Sequence, residues 1–274
     1  MTAPTRDALS FPSTSAMQID PYLPQDRDLT MPYYPHVTLT YATSLDANLS
    51  LSPGVQTALS GPQSKAMTHY LRSKHSAILI GARTAIADDP SLNCRIEGVG
   101  GYGGPGVEGQ PRPVVIDAKG RWKVSEESKV VRLAKEGKGL GPWVIGARDT
   151  PVEEGKYKAL TDVGGLYTTL ATDSSGRFDW SDIFDTLGGK GIISVMVEGG
   201  GSVINELLSP RYFDLVDSVI VTIAPVWLGK GGVQACPDEK KNADEVKMEV
   251  GRLRKVQWVP LGEDVVLCGR PRWQ

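Results

Sequence analysis

The sequence predicts an α/β fold with one central, mixed but mostly parallel sheet, flanked by helices and closed by a C-terminal β-hairpin. Short, continuously apolar runs at 77–81, 113–117 and 143–146 are typical of strands that are covered on both faces. Segments with helical spacing alternate with such strands, and this order favours a parallel sheet. The C-terminal part is instead rich in strands, which makes the predicted sheet a mixed one.

The composition limits the classes of partner. The 274 residues allow one large domain or two small ones, and 30 basic residues nearly balance 32 acidic ones. This balance argues against partners held mainly by bulk charge, such as nucleic acid or an anionic membrane. No apolar run reaches the ~18 residues of a membrane helix, and the N-terminus lacks the apolar core of a signal peptide. We therefore expect a cytoplasmic protein. No metal is expected, because the cysteines and histidines lack ligand spacing: Cys94, Cys236, Cys268, His36, His69 and His75.

Residue patterns divide the chain into an arm and a body. Residues 1–35 hold six prolines and show no helical or strand period, which predicts an arm that is flexible or lies along the surface. The body, residues 36–274, opens with a β-branched and aromatic strand at 36–42. Residues 60–63 resemble a capping box with Pro62 in the first turn, so a helix is predicted from there to residue 75.

The later elements of the body are predicted from apolar runs and glycine stops. Their order is helix, strand, helix, strand and two hairpin strands, at 179–187, 192–197, 202–208, 216–224, 246–259 and 264–269. Seven glycines make 98–109 a predicted flexible surface insertion. The charged segment 119–138 is interpreted as a helix-prone, solvated face.

The strongest functional motif follows the strand at 192–197. Glu198 ends this strand, Gly199, Gly200 and Gly201 turn the chain, and Ser202 is the expected N-cap of the next helix. Successive glycines let backbone N–H groups approach a pyrophosphate, and a helix N-terminus adds partial positive charge. A tight turn without ligand is the structural alternative. Glu198 favours function, because ligands of α/β sheets bind at the carboxyl ends of strands.

A second polar motif follows the strand at 77–81. Thr84 and Asp88 are four residues apart and would share one side of a helical turn. Ligand binding through this hydroxyl and carboxylate, and simple capping of a short helix before Pro90, are equally compatible with the sequence.

Three further charged residues are candidates for ligand contacts. Arg95 and Arg72 are each suited to pair with a phosphate, although single arginines are commonly surface residues. Asp46 follows the first strand, where it would orient a ring or a proton donor, or would simply form a turn.

Several motifs together resemble a known family. They are HVTLTYATSLDA, THYLR, GARTAIADDPSLNCR, PVVID, VMVEGGGSVINELL and DVVLC, spread over residues 37–268. The chain resembles the stand-alone fungal reductases of riboflavin biosynthesis, which act on 2,5-diamino-6-(5-phosphoribosylamino)pyrimidin-4(3H)-one. The resemblance implies a single domain similar to dihydrofolate reductase, NADPH as cofactor, a homodimer, and hydride transfer to ribose C1 that leaves the 5′-phosphate in place.

The resemblance also implies roles for matching residues. The cofactor would contact Ala42, Thr84, Asp88, Gly199, Gly200, Gly201 and Ser202, and the substrate would contact Arg72, Leu92, Arg95 and Glu198. Glu198, Asp46 or an ordered water would handle the proton. Relatives often carry Leu-Asp-Gly where this chain has Ala47 after Asp46, which puts a glycine-specific geometry there in doubt.

Two other functions remain open at this point. One is a reductase of the same fold that acts on a pterin. The other is a non-catalytic module that binds NADPH. The zinc deaminase domain of the bifunctional bacterial relatives has no counterpart here, because the H-x-E and P-C-x-x-C motifs are missing.

Overall fold

The computed structural model describes residues 7–25 and 34–271. Within these ranges, nine strands form the central sheet in the order β12-β13-β8-β1-β7-β3-β4-β5-β6. Their bounds are β1 His36–Thr43, β3 Ala77–Gly81, β4 Arg112–Asp117, β5 Trp143–Ala147, β6 Leu166–Leu170, β7 Ser194–Gly199, β8 Ser218–Ile223, β12 Leu253–Leu261 and β13 Asp264–Pro271. Two small ribbons pair β2 (Asn48–Ser50) with β9 (Val233–Gln234), and β10 (Lys240–Lys241) with β11 (Lys247–Met248).

The predicted fold class is confirmed. All neighbouring strands from β8 to β6 run parallel. β13 pairs antiparallel with β8 and with β12, which forms the expected C-terminal hairpin. The last hairpin is shorter than predicted, because its first strand begins at Leu253 rather than at residue 246.

Helices cover both faces of the sheet. Their bounds are α1 Ser13–Ile19, α2 Pro62–Ser73, α3 Ala82–Asp88, α4 Lys129–Lys135, α5 Glu154–Thr161, α6 Trp180–Gly189 and α7 Gly201–Leu207. Alternate residues of β3 show the two faces: Leu79 packs with the apolar side chains of α6 and α7, whereas Ile78 and Ile80 pack with those of α3, α4 and α5. α1 and α2 pack in a third cluster with Met196 of β7.

The strand order creates a crevice between β3 and β7. After β3 the chain continues to β4, whereas after β7 it continues to β8 on the opposite side. The helices that follow these two neighbouring strands, α3 and α7, therefore lie on opposite faces. Ligands of open α/β sheets bind outside the carboxyl ends of strands at such a reversal.

Residues 7–25 pack on the body, although no helix is expected there from the sequence. α1 buries Ala16 and Ile19, and Tyr22 and Leu23 follow into the same core cluster. This spacing gives a short helix one apolar side. Residues 1–6 and 26–33 of the predicted arm lie outside the described residues, and the domain boundary at residue 35 stays a prediction.

Two segments are packed more closely than the sequence interpretation suggests. Most of the glycine-rich segment 98–109 is an exposed loop, but Tyr102 is buried and its hydroxyl accepts a hydrogen bond from Asn93, which anchors the loop. The segment 119–138 buries Trp122, Val124 and the α4 side chains Val130 and Val131. Its apolar residues are too few to reveal one period, and the charges between them dominate the pattern.

The expected N-cap at Ser60 is also corrected. The N-cap of α2 is Gly61, which has no side chain to accept a hydrogen bond from the first turn of the helix. The Asp264 carboxylate accepts instead from the Gly61 N–H at 2.8 Å and from the Ser64 hydroxyl at 2.6 Å. This acceptor comes from β13, far along the chain, and so no local motif reveals it.

Candidate active site

The turn from β7 to α7 lies at the carboxyl edge of the sheet and needs its glycines. Gly199 and Gly200 have φ values of +97° and +87°, which side chains rarely adopt. A Cβ on Gly200 would lie 2.8 Å from the Thr84 hydroxyl oxygen. Gly200 is itself the N-cap, so the prediction that Ser202 caps the helix is wrong: Ser202 lies within the first turn.

α3 brings Thr84 to this turn and carries Asp88 one helical turn further on. Both side chains are half-buried, whereas Arg83, Ile86 and Ala87 are exposed, so the predicted shared side of a helical turn is present. Burial raises the pKa of Asp88. The neighbouring Asp89 adopts a left-handed conformation and ends the helix, and its carboxylate accepts from the Lys129 N–H at 3.0 Å, so the Asp88 side chain is not the cap.

Glu198 and Arg72 form a buried ion pair. The Arg72 Nε donates to Glu198 Oε1 at 2.8 Å, and Nη2 donates to Oε2 at 2.7 Å. Their side chains are only 11% and 17% exposed. Burial is the largest single effect on the pKa of Arg72 and would lower it, but the charge and hydrogen bonds of Glu198, together with the nearby Cys94, outweigh burial and the pKa is raised. The pairing of β3 with β7 is irregular beside Glu198, and such a bulge re-aims a side chain.

The segment that carries Leu92 and Arg95 lies next to this pair. The Asn93 carbonyl accepts from Arg72 Nη1 at 3.0 Å. Leu92 has φ +50° and buries its side chain in the core, so only its backbone is left to contact a ligand. Arg95 is partly exposed and contacts His69 of α2, with its backbone N 3.2 Å and its Nε 3.5 Å from the ring nitrogens.

Asp46 organises a loop at the same edge of the sheet. Its carboxylate accepts from the Ser44 hydroxyl at 2.5 Å and from the backbone N–H groups of Leu228 at 3.1 Å and Gly229 at 2.7 Å. The Ser44 hydrogen bond, followed by those two, holds its pKa well below the ordinary range. A carboxyl group in this state does not donate a proton near neutral pH, which argues against the catalytic assignment of Asp46. Ala47 takes φ +60°, so the left-handed geometry exists here without glycine.

The lining of the crevice is compatible with a nicotinamide cofactor. The glycine turn leads into the start of α7, and the Thr84 hydroxyl lies against it. Among the described residues, no group of three or more His, Cys, Asp or Glu side chains is arranged to hold a metal ion. Within the same residues, no helix is long and apolar enough to cross a membrane.

Comparison with known proteins agrees with this geometry. The family model of the RibD C-terminal domain matches residues 35–267. The chain belongs to the RibD C-terminal domain family. Two similar members are named 2,5-diamino-6-ribosylamino-4(3H)-pyrimidinone 5′-phosphate reductase. The one from Eremothecium gossypii is 40% identical over 91% of this chain and 93% of its own length. The one from Candida glabrata is 41% identical over 86% and 89%.

A solved structure of the family is similar throughout. It is the riboflavin biosynthesis reductase Rib7 of Saccharomyces cerevisiae, 33% identical, with a TM-score of 0.71 over 93% of this chain and 98% of that chain. The reductase resemblance that the motifs indicate is thereby confirmed.

Sequence reasoning missed two polar residues that support the site of this RibD C-terminal domain. Gln110 accepts from the Cys94 N–H at 2.8 Å and donates to the Cys94 carbonyl at 2.7 Å. His69 is buried, and its backbone carbonyl accepts a hydrogen bond from the Cys94 thiol at 3.0 Å. Its ring contacts Arg95. No local signal marks His69, because the buried side of α2 also contains the polar residues Ser64 and Arg72.

Proposed function

We propose that the protein reduces 2,5-diamino-6-ribosylamino-4(3H)-pyrimidinone 5′-phosphate to the corresponding ribitylamino compound with NADPH, as a step of riboflavin biosynthesis. The observation that carries the proposal is the Arg72–Glu198 pair at the carboxyl end of β7, directly before the glycine turn. One ligand site would thus join a dinucleotide cradle to a fixed carboxylate. The names of the similar proteins support this substrate.

The crevice between β3 and β7 would hold the cofactor. Gly199, Gly200 and Gly201 would present backbone N–H groups to the pyrophosphate, with Ser202 in the first turn behind them. Thr84 and Asp88 would approach from α3, and the Ala42 backbone from the end of β1. The nicotinamide supplies the hydride, so the protein's task is to position and polarise the substrate.

Glu198 would act on the sugar through its charge. Opening of the furanose leaves a C1=N bond that accepts hydride most readily when its nitrogen is protonated, and this form is cationic. A carboxylate held beside C1 stabilises the developing positive charge without reorganising. Arg72 keeps the carboxylate in one orientation, and each Glu198 oxygen retains a lone pair for the substrate. The hydride adds to C1 and one proton, assigned to an ordered water, goes to the ring oxygen O4′ that the opening of the furanose releases, which completes the reduction.

The pterin alternative and the non-catalytic alternative are separated from this proposal by one assay. Purified protein is mixed with NADPH and with the phosphoribosylaminopyrimidine, dihydrofolate or no substrate, and loss of the reduced-nicotinamide absorbance is followed. We expect oxidation only with the pyrimidine, and no release of ammonia. Oxidation with dihydrofolate alone, or cofactor binding without any oxidation, would reject the proposal.

The proposal extends to assembly and place. As the family resemblance implies, the protein would act as a homodimer in the cytoplasm. Light scattering of the purified chain and fractionation of cells test these two statements, and a monomeric active enzyme would remove the first.

A further inference from the structure

Two arginines border the candidate substrate site, and the structure distinguishes their roles. Arg72 uses Nε and Nη2 on Glu198 and Nη1 on the Asn93 carbonyl. Arg95 makes looser contacts: its Nη1 lies 3.4 Å from the Asp7 carbonyl and its Nε 3.5 Å from His69 Nε2. Arg95 is therefore the arginine whose guanidinium remains available to an anion.

His69 contacts Arg95 twice through one ring. Its Nδ1 lies 3.2 Å from the Arg95 backbone N, and its Nε2 faces the guanidinium. A neutral imidazole accepts a hydrogen bond at only one nitrogen. The shorter contact takes that nitrogen at Nδ1, so Nε2 carries the proton and makes no hydrogen bond to the Arg95 Nε–H. The Arg95 Nε–H therefore lies against the edge of the ring and is free to donate to a ligand oxygen.

The surroundings keep this imidazole neutral. His69 is only 5% exposed. Burial, followed by the positive charges of Arg72, Arg95 and Lys65, lowers the pKa of His69 far below its usual value. A neutral ring places no full positive charge beside the guanidinium, whereas an imidazolium would push the guanidinium away.

We infer that His69 is a positioning residue that directs the Arg95 guanidinium toward the phosphate of the substrate. This inference rests on the proposed function, because that function supplies the phosphate. A charged side chain on a surface segment would otherwise sample many rotamers and would lose this conformational entropy when it binds a ligand. Each contact that orders the side chain beforehand reduces the entropy that is lost on binding. The hydrogen bond from the Arg95 backbone N–H to Nδ1 fixes the position of the Arg95 backbone, and the edge of the ring restricts the positions that its guanidinium can occupy.

Two substitutions separate these contacts. In His69→Asn the amide reaches the place of Nδ1 but not that of Nε2, so the backbone bond is kept and the guanidinium contact is lost. In His69→Gln the amide reaches the place of Nε2. A matched control is His75→Gln: His75 is also buried, and its ring contacts the Leu71 carbonyl at 2.7 Å and the Thr38 hydroxyl at 2.8 Å, away from Arg95.

The test compares KM and kcat for the phosphorylated substrate and for the same compound without phosphate. We expect His69→Asn to raise KM for the phosphorylated compound about tenfold with little change in kcat. KM for the phosphate-free compound should not change, and His69→Gln should recover most of the preference. His75→Gln should lower the melting temperature without changing the preference. An unchanged preference in His69→Asn, or an equal loss in His75→Gln, would overturn the inference.

The inference and the proposed function fail in different ways. If the wild-type protein does not turn over the pyrimidine, the proposed function is rejected. Calorimetric titration with inorganic phosphate then still decides the role of His69. Weaker binding in His69→Asn than in the wild type and His69→Gln supports the role. Equal binding in all three, or no binding in any, rejects it.

Discussion

Substitution of Glu198 by Gln tests the charge at the centre of the site. Gln keeps the size of the side chain, but one oxygen becomes an NH2 group that faces an Arg72 N–H. The Arg72 side chain, only 11% exposed, then has one acceptor oxygen at position 198 in place of two. Leaving one partner of a buried pair without its counter-charge costs about 3 kcal/mol. For a domain of this size, that corresponds to a melting temperature lower by roughly 5 °C.

The same substitution should reduce catalysis more than its effect on folding explains. At a temperature well below the melting transition, we expect kcat/KM to fall at least about tenfold, or roughly 1.4 kcal/mol of transition-state stabilisation. Cofactor affinity should change little, because the glycine turn is unaltered.

A double variant separates stability from chemistry. Arg72→Met together with Glu198→Gln leaves no buried unpaired charge, so the melting temperature should rise again relative to Glu198→Gln. Turnover should stay low, because the carboxylate is still absent. Thermal melts and steady-state kinetics on the wild type and both variants measure this. Near-normal turnover in Glu198→Gln, or recovery of turnover with stability in the double variant, would show that Glu198 is only structural.

Further predictions concern the rest of the site. Gly200→Ala should cost about 1–3 kcal/mol of stability at φ +87° and weaken NADPH binding in fluorescence titrations, since its Cβ meets Thr84; unchanged affinity would remove the turn from the cofactor site. Arg95→Ala should raise KM for the phosphorylated substrate with nearly unchanged NADPH affinity, because it removes a charge-assisted contact that contributes about 1.5–3 kcal/mol of binding free energy. Loss of cofactor affinity instead would assign Arg95 to the cofactor. The pKa of Asp46 is lowered in the fold, so its stabilisation of the loop is present above the unfolded value near 3.8 and is lost as the pH falls through the folded pKa. Asp46→Asn should therefore keep the shape of the kcat/KM profile between pH 6 and 8, and the loss of one limb would restore Asp46 as a proton donor.

Local features were predictable from the sequence, and long-range contacts were not. The buried strands and the turn at Gly199, Gly200 and Gly201 follow from contiguous residues, because their conformations depend on their own side chains. Arg72 and Glu198 are 126 residues apart, and only the crossing of α2 over β7 brings them together. The sequence indicates each residue separately as a candidate ligand contact, but only the folded structure shows that the two form an ion pair.

The two predicted N-caps fail for different physical reasons. Ser202 and Ser60 have the residue type of an N-cap, but the backbone conformation of Gly200 starts one helix and Asp264 caps the other from a distant strand. The catalytic role of Asp46 stays a prediction, and its carboxylate is held by the nearby Ser44 hydroxyl and by N–H groups from the loop after β8.

The fate of the transferred hydrogen tests the central claim most directly. NADPH that carries deuterium at both C4 positions of the nicotinamide is incubated with the purified protein and the phosphoribosylaminopyrimidine, and the product is examined by NMR and mass spectrometry. Hydride transfer to the sugar predicts one deuterium at C1 of the ribityl chain, with the phosphate and both amino groups retained. Deuterium on the pyrimidine ring, or a reduced product without deuterium, would contradict the account.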